Sequence, residues 1–169
     1  MHQKSLLVIV SCSILALALT ATSKSSTLVA APAAVHQDAN SYVGADACKS
    51  CHGGHFDAWS NTKHQKALGK LQGGDRESGK CIRCHVTGSP EMIEADGAKP
   101  RLPGVQCEAC HGAGGTHVEQ AKTKAIVKGA ITAVPDEGAC TKCHSEESPH
   151  YKPFFYSAMK GLVHPVKKY

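Results

Sequence analysis

Four times in this chain a cysteine is followed three residues later by a second cysteine and then at once by a histidine. The triples are Cys48, Cys51 and His52; Cys81, Cys84 and His85; Cys107, Cys110 and His111; Cys140, Cys143 and His144. In such a segment two thiols can add to the vinyl groups of a haem while the adjoining imidazole turns back onto the iron. One match would suit chance or half of a zinc site. Structural zinc needs four cysteines, or two with two histidines, and makes no demand on the residue after every second cysteine. Here all four repeats carry histidine there. The repeat implies four covalently attached haems c, and whatever fold the chain adopts must be built around them.

The remaining cysteine agrees. Of nine cysteines, eight lie in the motifs and the ninth, Cys12, falls in an N-terminal leader, so none is left for a structural disulfide. Residues 1–34 have a short basic start, an apolar run from Leu6 to Leu19 and small-residue stretches that suit a signal peptidase, and we read them as a cleaved export signal. The run is shorter than the roughly 20 residues a bilayer span needs, which makes an uncleaved anchor the lesser alternative. A lipoprotein box at Ile9-Val10-Ser11-Cys12 is set aside because the apolar run continues past it. Residues 35–169 then form one tetrahaem domain in a periplasmic or otherwise exported location. Losing Lys4 and Lys24 leaves 17 basic against 14 acidic side chains, a net of +3. Haem propionates would bring the holoprotein near neutral when oxidised, so the basic isoelectric point does not imply a nucleic-acid partner.

Eight aromatic residues are few for the core of such a domain. Small scaffolds short of core need a staple, and four macrocycles would supply the missing buried surface. We expect a mainly α fold, a small multihaem cytochrome with short helices and long loops wrapped around four covalent haems. The pattern predicts a helix over residues 46–60, with Phe56 and Trp59 packed on a haem face, and a second over residues 63–71 that points His64 inward with Leu68 and Leu71. Residues 86–106 read as a loop without a period, holding Met92 as packing or as a thioether ligand. A helix over residues 118–128 and a short one ending at His164, before Pro165, complete the prediction.

Among eleven histidines, His52, His85, His111 and His144 are proximal ligands by the motif itself. His117 lies only six residues beyond His111, so serving the far face of the same haem would need a nearly fully extended chain; it suits a neighbouring one. His55 shares a helix face with His52 and cannot cap the same iron. His36 reads as solvent-exposed, His150 is open as a ligand, and Arg83 is expected to meet a propionate.

The stretch Gly104-Val105-Gln106-Cys107-Glu108-Ala109-Cys110-His111-Gly112 with His117, preceded by Cys81-x-x-Cys84-His85-Val86-Thr87-Gly88 and by Trp59, His64 and Ala67, resembles the cytochrome c-554 family of periplasmic tetrahaem cytochromes. Numbering the haems in motif order, the resemblance implies His117 as second ligand of haem 1, His64 of haem 4 and His164 of haem 3. Haem 2, at Cys81, Cys84 and His85, would then have no protein ligand on its second face, unless His150, His55 or Met92 supplies one. It also implies closely stacked haem pairs and passage of electrons from hydroxylamine oxidation toward quinone.

Together these observations lead us to expect a periplasmic carrier of single electrons through four closely packed haems, mostly bis-histidine ligated, that meets redox partner proteins in the periplasm or at the membrane surface. Its alternative is binding or reduction of a small ligand such as nitric oxide at an open haem 2. No acid/base pair near His85 marks an enzyme. A third possibility, ligands exchanged between subunits, predicts filaments.

Overall fold

Helical geometry places residues i, i+3 and i+4 on one face, which is the spacing of first thiol, second thiol and imidazole in each motif. The computed structural model describes residues 41–164, and in it every motif is built on a helical turn. The expected leader at residues 1–34 with Cys12, together with His36 and Pro165, lies outside the described residues.

In chain order the helices are α1 (Ala45–Lys49), α2 (Gly53–Ser60), α3 (Gly79–His85), α4 (Pro90–Asp96), α5 (Cys107–His111), α6 (Gly115–Lys122), α7 (Glu137–Thr141) and α8 (Tyr156–Met159). Short 3-10 turns occur at Leu68–Lys70, Gly73–Arg76 and Lys160–Leu162. The helices run from four to eight residues, well below the roughly 12–15 that an isolated helix needs in water. Tertiary contacts must therefore hold them. Among the described residues there is no strand, only an isolated antiparallel bridge between Val86 and Pro103. Nor is any described helix long and apolar enough to cross a membrane.

The apolar core is small. Leu68, Leu71, Ile82 and Val86 form its buried cluster, with Cys81 and Ile93 packed against it. Trp59 is buried apart from these and donates its indole N–H to the Val105 carbonyl at 2.8 Å. Phe56 lies tilted against Trp59, with the Lys49 ammonium over its ring.

Several helices differ from the sequence-based expectation, and in the first two a backbone group finds another partner. The helix expected over residues 46–60 breaks at the first motif. His52 and Cys51 both donate their N–H groups to the Cys48 carbonyl, and His52 leaves the helical region at φ −115°, ψ 39° to start α2. Residues 63–71 form turns and one 3-10 turn instead of an α-helix. The His64 carbonyl accepts from the distant Val105 N–H at 2.9 Å, and the Ala67 carbonyl lies 2.7 Å from His85 Nδ1.

Within residues 86–106 the structure has α4 where no element was expected. The Ser89 hydroxyl accepts from the Met92 N–H at 3.2 Å and Pro90 occupies the first turn, an ordinary N-terminal signal. α6 begins three residues early and stops at Lys122, where the chain turns through Lys124 at φ 57°. The tail helix ends at Met159 and continues to Leu162 only as a 3-10 turn.

Candidate haem-binding site

Contacts between cysteines order the motifs in space as first, third, fourth, second. Cys48 is hydrogen-bonded to Cys107, which pushes the Cys48 thiol above its ordinary range and brings Cys107 down to about 7. Cys110 is pushed up by burial and then by nearby Cys140, where α5 meets α7. Cys143 is pushed up to about 12, by burial first and by its hydrogen bond to Cys84 second.

Three pairs of imidazoles each join one motif histidine to one from a distant segment outside the motifs. His52 and His117 have ring centres 6.4 Å apart and planes at 26°. His111 and His164 stand at 6.1 Å and 19°, and His144 and His64 at 6.0 Å and 64°. Metal–nitrogen bonds of about 2.0–2.1 Å, with about 1.1 Å more from nitrogen to ring centre, would put two imidazole centres about 6.3 Å apart across one metal. The observed separations match that span.

Tautomers are fixed where a carbonyl meets a ring nitrogen, because a carbonyl can only accept. Nδ1 of His85 lies 2.7 Å from the Ala67 oxygen, and Nδ1 of His111 lies 2.6 Å from the Thr132 oxygen. Both Nδ1 atoms must carry the proton, which leaves Nε2 with a free lone pair for a metal. Burial, and then neighbouring His144, pushes His64 below its ordinary pKa, toward the neutral form a ligand needs.

His85 differs from the other motif histidines: among the described residues no imidazole faces it. His55 stands edge-on to His164 at 5.1 Å and to His52 at 6.1 Å. His150 is exposed on the wall of a cavity of about 2210 Å³ that His85 also lines. Met92 is buried, with its sulfur against Gly88. Arg83, expected at a propionate, meets Glu147 at 3.0 Å on the surface.

Three residues that the motif does not signal hold the segments in register. Thr87, 2% exposed, donates its hydroxyl to the Gly104 carbonyl at 2.9 Å and accepts from the Gln106 N–H at 2.7 Å, tying the second motif to the third. Gln106 accepts from the Ala45 N–H, and Glu108 is fully enclosed between the first and third motifs. The only sequence signal for Glu108 is an acidic residue between two motif cysteines in a glycine-rich stretch.

These residues suit haem and not a bare metal ion. Among the described residues no group of three or more histidine, cysteine, aspartate or glutamate side chains converges on a metal position. An imidazole pair leaves four positions of a six-coordinate metal to fill, and the planar tetradentate macrocycle of haem fills them. The cavity is also about two to seven times the 300–1,000 Å³ of an ordinary small-ligand site. Its walls carry Cys84, Cys110, Cys140 and Cys143 together with His64 and His144.

Repeated paired thiols with an adjoining imidazole, and space rather than side chains between them, define a c-type cytochrome. A family model described as cytochrome c554 and c-prime matches residues 47–112. Cytochrome c-554 of Nitrosomonas europaea is 30% identical over an alignment 126 residues long that covers 63% of this chain and 50% of that protein. The chain thus spans about half the length of the curated relative it matches. No solved structure gives a significant match. Over the matched stretch the chain is similar to the cytochrome c-554 family.

Proposed function

We propose that residues 35–169 form a tetrahaem carrier of single electrons, exported by a signal at residues 1–34, that exchanges electrons with redox proteins in the periplasm or at a membrane surface. Haem c, when bound, supplies an iron that gains or loses one electron. The cysteine pairs of the four motifs would attach it, and His52, His85, His111 and His144 would ligate its iron. His117, His164 and His64 would be the second ligands of haems 1, 3 and 4. The observation that carries this assignment is the set of three imidazole pairs at 6.0–6.4 Å that join a motif histidine to one from a distant segment. His55, also 6.1 Å from His52, is only three residues along the chain and cannot cap the same iron. Two histidines hold a ferric and a ferrous iron alike, which suits electron transfer without ligand exchange.

A second reading is favoured by one observation, that no described imidazole faces His85. It assigns haem 2 an open face for a small ligand such as nitric oxide, which would be bound or reduced there. One set of measurements tests both. The purified protein should have the mass of its peptide plus four haems, and low-temperature electron paramagnetic resonance should show three low-spin centres and one high-spin. Peptide mass alone would overturn the tetrahaem assignment. Four low-spin centres would close haem 2.

A further inference from the structure

Glu108 sits between the cysteines of the third motif, yet its carboxylate serves other segments. Oε1 accepts from the Val43 N–H at 3.0 Å and the Gly114 N–H at 2.6 Å. Oε2 accepts from the Gly44 N–H at 2.8 Å and from Val43 at 3.1 Å. Gly44 immediately precedes α1, which leads into His52, and Gly114 immediately precedes α6, which carries His117. One carboxylate from a third segment therefore fastens the backbone on both sides of the His52–His117 pair. Gly115 allows the close approach this needs, since a Cβ there would stand 2.7 Å from the Ser41 carbonyl oxygen.

The side chain is 2% exposed, and none of the ion pairs among the described residues involves it. A buried carboxylate is tolerated only when its lone pairs are met, and here backbone N–H groups meet them. An amide in its place would turn an NH₂ group toward N–H donors, leaving at least one buried N–H without an acceptor.

We infer that Glu108 is a positioning residue for the first haem site: it sets where the two flanking imidazoles stand and fixes a negative charge between the segments that carry them. The inference rests on the ligand assignment proposed above. Loss of this side chain should release His117, because α6 is fastened to the first motif through it. It should also raise the reduction potential of that haem, because a nearby negative charge favours the ferric state.

The test compares Glu108→Gln, Glu108→Asp and His117→Ala as mature holoproteins, each first weighed for its haem content. His117→Ala should add one high-spin centre to the wild-type count. Glu108→Gln should show that same centre in a fraction of molecules, reversed by added imidazole, with the midpoint potential of a single haem moved upward. Glu108→Asp should show a smaller version of both effects, and it decides the matter if Glu108→Gln does not mature. A fully loaded Glu108→Gln protein with wild-type spin count and all potentials unchanged would overturn the positioning role alone. An unchanged spin count in His117→Ala would overturn the ligand assignment, and this inference with it.

Discussion

The junction around Glu108 and the C-terminal segment from Phe154 to His164 each bring one imidazole opposite a motif histidine, by different means. At the junction, His117 stands on α6, whose start is fastened by a buried carboxylate and a glycine contact with Ser41. In the tail, His164 follows a short helix and a 3-10 turn. That segment is held by the Phe154 ring stacked on His144 at 4.9 Å and by the Tyr156 hydroxyl donating to the Pro135 carbonyl at 2.6 Å. Phe155 and Leu162 are 63% and 70% exposed. Segments with few buried contacts open first, so similar ring separations at the two sites conceal unequal holding strength. Ligand exchange should begin at the tail.

The largest effect should come from the tightest contact behind the buried side. Gly104 has φ +81°, and a Cβ there would overlap the backbone carbonyl oxygen of Gln65, next to His64. Left-handed backbone costs a non-glycine residue about 1–3 kcal/mol, and overlap with a backbone that cannot rotate away adds about 1–3 kcal/mol more. Gly104→Ala should therefore lower stability by about 2–6 kcal/mol and disturb the His64–His144 pair. Denaturant unfolding followed at the haem absorption band checks the first, and the low-spin count checks the second. Gly129 is the control, at φ +92° with open space around it. Gly129→Ala should cost only the strain, about 1–3 kcal/mol. Equal losses at the two glycines would mean that close packing behind His64 contributes nothing.

A smaller effect separates the two histidines directly. Tyr156→Phe removes one half-buried hydrogen bond, worth about 0.5–1.5 kcal/mol, or up to about tenfold in the opening of the tail. Binding of cyanide or imidazole by the oxidised protein should accelerate about two- to tenfold at the haem of the third motif. The same substitution should leave the His52–His117 site unchanged. Acceleration at both sites would show that the tail and the junction open together, and the contrast between them would be lost.

How much of this was legible in the sequence depends on where each interaction closes. The thiol and imidazole positions repeat a spacing that the chemistry itself requires, so four motifs are visible without any fold. Helix limits were less legible, because distant partners decide them. The carbonyl of His64 is taken by Val105, and that of Ala67 by His85, so a stretch with helical period does not become an α-helix. Ser89-Pro90 is a local signal for α4, a helix of seven residues that is too short to show an apolar period. Glu108 occupies a position where the motif allows any residue. Its importance comes from Val43, Gly44 and Gly114, two of them more than 60 residues away. The family match stops at residue 112, so the fourth motif, His117 and the tail rest on the repeat and on geometry.

The smallest effect belongs to a contact exposed like those of the tail but remote from any imidazole pair. Asp96 ends α4 and accepts from the Arg101 backbone N–H at 2.9 Å and from its Nε at 2.7 Å. The backbone hydrogen bond first, and then the guanidinium, hold its carboxyl below the ordinary range. A carboxyl whose folded pKa lies below its unfolded value contributes stability above about pH 4 and loses it as pH falls through the folded pKa. Arg101 is half exposed, so solvent screening keeps the contribution under about 1 kcal/mol. Asp96→Asn should lower the denaturant midpoint slightly at pH 7, and the gap from wild type should narrow as pH falls below about 4. A gap that persisted at low pH would mean that the carboxylate charge plays no part. A loss as large as that of Gly104→Ala would mean that exposed contacts hold this fold as firmly as buried ones, and the expectation that the tail opens first would fail with it.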